Sequence, residues 1–342
     1  MQHEITKITN LLDTSGNVLE AGYCKRNLYI YNRENISANK SRIKEWDFYQ
    51  CSDGVWMVQL NFANISLASA VTASVTNLKT GESCSDLVPD PVTFTRNQVN
   101  RNGDKPYYFE YKRLSRQLMF DIREYERHLY YKGKANGKEL IIDLFAQKNP
   151  DDESLTIATP FNEKGHFFLT QKQNCMPTFG KVIYDGRLLC EFSKETAFTV
   201  MDWGRGVWPY SNMWYWANGS SYLDGKRFGF ELTWGFGEDF DASETAIFYD
   251  GKCHKIGRVH LEKDPEKEGW FKPWHFISDD GRFDMTMIPF YDNQSNLLPL
   301  NLVGMNTHQL HGLWSGKAVL DDGRVLDIKD MYAFCEKVYN KW

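Results

Sequence analysis

Nine Asp-Gly or Asn-Gly pairs punctuate the chain, at 53–54, 102–103, 136–137, 185–186, 218–219, 224–225, 250–251, 280–281 and 322–323. Both residue types tolerate positive backbone angles, so such pairs favour two-residue hairpin turns. The segments between them alternate apolar and polar residues with period 2. In RFGFELTW, Phe228, Phe230, Leu232 and Trp234 fall on one face, with Arg227, Glu231 and Thr233 on the other. In GRFDMTMIPF, Phe283, Met285 and Met287 oppose Asp284 and Thr286. Helical periodicity is nearly absent; MYAFCEKVYNKW alone reads as either a short helix or a final strand. Many short antiparallel strands at close spacing specify sandwiches or barrels, so the expected class is all-β.

A barrel of about eight strands encloses room for one small ligand. Roughly eight strand candidates precede residue 200 and roughly eight follow, so two tandem lipocalin-sized barrels fit the length, with units expected at 1–200 and 201–342. Aromatic residues make up 15% of the chain, which suits strands and a ligand cavity alike.

The same composition narrows the partners. The net charge of −5, with no long run of either sign, argues against a nucleic-acid binder. No stretch approaches the ~20 apolar residues of a membrane span, and MQHEITKITNLLDTSG lacks the basic-then-apolar pattern of a secretory signal. Seven dispersed cysteines without a CxxC indicate neither a zinc knuckle nor a disulfide framework. A reduced, cytoplasmic protein with a small-molecule ligand, no metal and no organic cofactor is the expectation.

Candidate chemistry concentrates in MDWGRGVWPYSNMWYWANGSS, residues 201–221. Gly204 and Gly206 flank Arg205, where the backbone can turn sharply or admit a close neighbour. Pro209 stops a central strand. Trp214 and Trp216 share one face of the next strand, and Tyr210 lies just before it. Asp202 and Arg205 read either as a buried pair bracing the junction or as a pair orienting a ligand at the floor of an aromatic pocket.

Further along, ELTWGFGEDFDASETAIFYDG sets Glu231 and Glu244 beside aromatic segments; Trp234 lies between them. Gly235, Gly237, Glu238, Asp239 and Asp241 suggest a loop at a barrel mouth, without calcium-loop spacing. Glu231 points into the barrel if its apolar stripe faces outward, and into solvent otherwise. His308 and His311 are three apart, which on a strand puts them on opposite faces and rules out a shared metal. Lys172 reads first as a surface lysine and otherwise as a pocket cation. Trp274, in PWHFISDDGRFD, completes the candidate ligand-binding set. No phosphate loop, GxSxG elbow or HExxH occurs.

The series RIKEWDFY, QKQNCMP, MDWGRGVWPYSNMWYWANGSS, ETAIFYDGKCHKIG, PWHFISDDGRFD, HQLHGLWSG and VLDDGRVLDIKDMYAFCEKVYNKW closely resembles the family catalogued as domain of unknown function 2804. That family commonly has Phe-Gly where this chain has His311-Gly312. It has Gly-Phe-Ala-Glu where this chain runs Tyr332-Ala333-Phe334-Cys335-Glu336. More distantly, the family looks like the two-barrel lipocalin-like proteins that include carotenoid 1,2-hydratase and decalin-forming cyclases. The resemblance implies tandem barrels, a site within or between them, and cofactor-independent chemistry on apolar polyenes.

Three functions follow as expectations. The first is a hydratase, isomerase or cyclase acting on an apolar or unsaturated ligand. Glu231, Glu336 and Asp202 are its acid candidates, and aromatic faces would stabilise a cation. Pairing with Arg205 would hold Asp202 ionised, which favours Glu231 or Glu336. The second is a glycosidase-type enzyme with paired carboxylates such as Glu231, Glu244 and Asp284, and tryptophan stacking. The third is a non-catalytic carrier of an apolar ligand.

Overall fold

The computed structural model of the chain describes residues 2–91, 93, 99–237, 240–297 and 304–341. Type I′-like turns, with positive φ at both residues, close hairpins at Asn136-Gly137, Asp185-Gly186, Asp224-Gly225 and Asp250-Gly251. Two pairs depart from the hairpin expectation. Asn102-Gly103, without positive φ at either residue, lies between Ser83–Pro91 and Tyr107–Arg113, which do not pair with each other. Asn218-Gly219 lies mid-strand within Ser211–Leu223, and a Cβ on Gly219 would run into Ala333 and Met331. There the glycine serves packing between strands.

The hairpins assemble into two curled antiparallel sheets. The first has thirteen strands and runs from Ser83–Pro91 through Lys44–Ser52, Phe198–Val207 and Phe167–Tyr184 to Tyr107–Arg113. Its two ends meet through side chains: Arg113 bonds Asp90 at 2.8 Å, and Arg116 bonds Asp86 at 3.0 Å. The second has nine strands, centred on Ser211–Leu223, Val325–Lys341 and Gly304–Val319. MYAFCEKVYNKW is therefore strand up to Lys341, its alternation locked by long pairing with Gly304–Val319.

Each sheet wraps its own core. Leu60, Phe62, Phe120, Leu144 and Trp203 belong to the first. Phe228, Phe230, Leu232, Phe283, Met285, Met287 and Trp314 belong to the second, as the period-2 pattern requires. The chain crosses from one sheet to the other at Trp208–Tyr210, just past Val207 and around Pro209. Residues 200 and 201 thus lie inside the strand Phe198–Val207.

The barrels dock outer face against outer face. On Lys44–Ser52 the residues Tyr49 and Cys51 point into the first core, while Phe48 points across to Trp216 of the second sheet (ring centroids 5.9 Å). On Ser211–Leu223, Tyr215 faces the second core while Trp216 packs with Phe334 and Val200 in a small separate cluster. Polar residues that a lone barrel would turn to water are covered by the other barrel.

Candidate functional site

At the centre of that interface lies Lys172, only 4% of its side chain exposed. It sits on Phe167–Tyr184 directly opposite Asp202 in register, and its Nζ lies 2.9 Å from Asp202 Oδ1. Two carboxylates of the second barrel reach the same ammonium: Glu244 at 3.5 Å and Glu231 at 3.7 Å. The Trp216 ring covers it, with Nζ 4.4 Å from the centroid. One cation thus faces three carboxylates drawn from both halves of the molecule.

Each acid is held by donors. Asp202 accepts from Trp46 Nε1 at 3.1 Å and Thr170 Oγ1 at 3.3 Å. Glu231 accepts from Trp216 Nε1, and from Asn218 Nδ2 at 2.8 Å. Asn218 also donates to Asn174 across the interface, at 2.6 Å. A fourth carboxylate, Glu336, is the register neighbour of both Trp216 and Gln309. It accepts from Gln309 Nε2 at 3.1 Å and from Trp214 Nε1 at 3.4 Å.

Burial of so many acids around one base raises their proton affinity. Removal from water pushes the Glu231 carboxyl up to about 8, against the pull of Lys172. The same cause raises Glu336 to about 7 and moves Glu244 upward. Lys172 also moves upward, for a different reason. Its neighbouring carboxylates outweigh desolvation and hold it protonated.

Burial is graded across the group. Glu231 is fully enclosed, whereas Glu336, Asp202, Trp46, Phe48 and Trp214 are half-buried and form a rim where the two faces part. Beside that rim Phe236 packs on Phe168 (4.9 Å), Trp214 (5.3 Å) and Trp208 (5.5 Å), making an aromatic cage with Trp46. Two open surface hollows of about 570 and 590 Å³ lie elsewhere, around Lys194 and Glu195, and contain none of these residues.

The sequence candidates divide accordingly. Asp202, Glu231, Glu244, Glu336, Lys172, Trp214 and Trp216 come together. Asp202 and Arg205 do not pair, because three residues along a strand reverse the face. Arg205 points into the first barrel. There it donates to Asp47 at 2.7 Å, to the carbonyls of Gly204 and Asn100 at 2.8 and 3.0 Å, and lies over the Trp203 ring. Glu231 corrects both alternatives set out for it. Its apolar stripe faces its own core, yet it is neither in the barrel nor solvated, because the other barrel covers it.

His308 and His311 do take opposite faces. His308 stacks on Trp270 at 4.0 Å and pairs with Asp292 at 2.7 Å, apart from the cluster. His311 touches Gln309 Oε1 at 3.2 Å and Tyr332 OH at 2.8 Å, so it reaches Glu336 only through Gln309. Burial pushes its pKa down to about 3, which keeps the ring neutral.

Trp234 stacks on Tyr215 at 4.8 Å, and Trp274 lies in the second core. Tyr210 is exposed in the crossing segment. Glu238 and Asp239 lie outside the described residues; Asp241 is exposed. Among the described residues no group of three or more His, Cys, Asp or Glu is arranged to hold a metal ion.

Several site residues carried little sequence signal. Trp46 and Phe48 sit in an alternation that reads as ordinary strand, and Asn218 hides in what looks like a turn pair. Gln309 was obscured by the two histidines around it. Only the alternation within HQLHG, which puts Gln309 on the face of His311, could have found it.

None of the curated proteins matches the chain in sequence. Among solved structures, kievitone hydratase from Nectria haematococca is 13% identical, with a TM-score of 0.49 covering 92% of this chain and 94% of that one. A candidate AttH from Nitrosomonas europaea is 11% identical, with a TM-score of 0.45 covering 90% and 95%. The family described as "Domain of unknown function (DUF2804)" matches residues 2–342, and the chain belongs to that family.

Proposed function

We propose that the protein is a cofactor-independent acid–base enzyme of hydratase, isomerase or cyclase type, acting on an unsaturated, largely apolar small molecule at the interbarrel rim. The observation that carries this reading is the lysine-centred carboxylate cluster set directly behind aromatic walls. Glu336 is the acid that meets the substrate, because it alone among the raised carboxyls is half-buried at the rim. A group with its pKa near 7 is well matched to giving and taking a proton at neutral pH. Burial, and the negative charge of Asp202 behind it, oppose loss of the Glu336 proton.

The step balances simply. Glu336 protonates one carbon of a C=C bond, and the adjacent carbon becomes cationic. Trp214, half-buried at the rim, stabilises that charge; the Trp216 face is already occupied by Lys172, and Trp46 lies between Gly204 and Phe168. Water then adds and returns a proton to the carboxylate, or a neighbouring C–H gives its proton to the carboxylate, either directly or after ring closure by a second C=C bond has moved the cation along the molecule.

The test is isotope incorporation from solvent. The protein is incubated with a library of unsaturated small molecules in deuterium oxide and in ¹⁸O-water, and products are read by mass spectrometry. Hydration introduces ¹⁸O, and isomerisation or cyclisation introduces deuterium. Glu336→Gln is expected to lower incorporation by about 10²–10⁴-fold, the usual worth of a general acid. Incorporation is expected to decline as pH rises through about 7. Molecules that bind but never incorporate label, or label unaffected by Glu336→Gln, would replace this reading with that of a carrier.

A further inference from the structure

Beyond the carboxylate cluster, the aromatic cage ends in two cations without an anionic partner among the described residues and an indole N–H without an acceptor among them. Lys44 is 3% exposed and lies on the interface face of Lys44–Ser52, two residues before Trp46. Its Nζ sits 4.7 Å from the centroid of the Trp208 ring and 3.3 Å from the Arg42 carbonyl. No carboxylate of the described residues pairs with it. Trp208 is 2% exposed, and its Nε1 has no hydrogen-bond partner among the described residues. Arg42 reaches over the same residue, donating from Nη2 to the Trp208 carbonyl at 2.9 Å, while its buried Nε is also unpartnered.

A buried ammonium on a single carbonyl, with an indole N–H and a guanidinium N–H unpartnered among the described residues, all around one tryptophan, is a costly arrangement without an anion. A buried donor left unmet is destabilising, and a charged one more so. We propose that Lys44, Arg42 and Trp208 form a carboxylate-recognition subsite at the end of the Trp46–Phe168–Trp208–Phe236 cage. The substrate is then an amphipathic acid, its flat or apolar body held in the cage. This rests on the reading of the rim as the substrate site, and specifies the substrate's class.

The register sets the molecule's length. Lys44 lies four residues from Phe48, the strand partner of Asp202, so about 13 Å at ~3.3 Å per residue separates the anion subsite from the proton-transfer cluster. A monoanion fits better than a phosphate, because the surroundings are apolar and carry two positive charges at most. Desolvation and the neighbouring Arg42 lower the Lys44 pKa to about 7, so capture of an anion would also draw a proton onto the lysine.

The experiment is calorimetric titration of the full chain with 2-naphthoate and with its neutral counterpart 2-naphthamide. In the wild type the acid is expected to bind at least tenfold more tightly than the amide. In Lys44→Met, which keeps the length of the side chain without its charge, that preference is expected to vanish while amide affinity stays within about twofold. Removing an unpaired buried charge should also leave Lys44→Met at least as resistant to urea as the wild type, which guards against a folding artefact. Equal affinities in the wild type, no binding of either probe up to millimolar concentration, or a preference that survives Lys44→Met would overturn the proposal. The titration needs no turnover. Failure of the isotope experiment therefore leaves it standing, and failure here leaves proton transfer at Glu336 standing.

Discussion

Replacing Lys172 with methionine should produce a stability loss that depends steeply on pH. In the native protein this ammonium faces Asp202, Glu244 and Glu231 at 2.9, 3.5 and 3.7 Å, all of them largely enclosed. Removing one partner of a buried ion pair ordinarily costs about 3–5 kcal/mol, because the remaining charge is stranded. Carboxylates have an escape that other ions lack: they can take up a proton. The variant's native state should hold one more proton than the wild type, because folding now raises a carboxyl pKa further above its unfolded value. Relative to the wild type, the loss is absent below that carboxyl's wild-type native pKa and grows as pH rises above it, so it falls on a carboxylate that Lys172 holds ionised. One retained proton corresponds to about 1.4 kcal/mol per pH unit. At pH 5 the loss should be about 1 kcal/mol, chiefly the contact with Trp216. By pH 8 it should reach about 4 kcal/mol, the limit set by a stranded buried charge. Urea unfolding followed by tryptophan fluorescence at pH 5, 6, 7 and 8 measures this directly. A loss that stays flat across that range would refute the claim that these acids share one cation.

Two further outcomes probe the scaffold around the site. Asp47→Asn leaves the interior Arg205 with carbonyl acceptors but no counter-charge, so it should cost about 3 kcal/mol of stability. Naphthoate affinity, measured by the same calorimetry, should be unchanged, because Arg205 faces away from the rim. Gly204→Ala would drive a Cβ into the Trp46 ring, which lies flat over that glycine. A loss of about 1–3 kcal/mol is expected, with a shift in tryptophan emission and weaker binding of both naphthalene probes.

Local rules made the architecture legible. Asx-Gly pairs mark many of the hairpins, and the period-2 stripes of 226–234 and 283–287 face the core as drawn. The site was legible only in part, for a physical reason. Alternation tells which residues share a face, but not what covers that face. Glu231 therefore reads as either inside its barrel or solvated, and Lys172 first as a surface lysine, when each is hidden by a barrel assembled from distant sequence. The Asp202–Arg205 pairing fails on the same geometry that separates His308 from His311. Chemical complementarity between neighbours in sequence gave way to the pleat. Trp234 and Trp274 look like pocket residues by composition and turn out to line the second barrel, since an aromatic serves packing and recognition equally well.

The charged cluster is split between the barrels, with Lys172 and Asp202 on one and Glu231, Glu244 and Glu336 on the other. Its acidity is therefore a gauge of how tightly the halves are closed. Any opening that lets water reach Glu231 and Glu336 would release protons to the medium, and closing would take them back. Binding a molecule in the cleft and arming the acid that acts on it would then be a single mechanical event, readable as proton uptake in a weakly buffered solution.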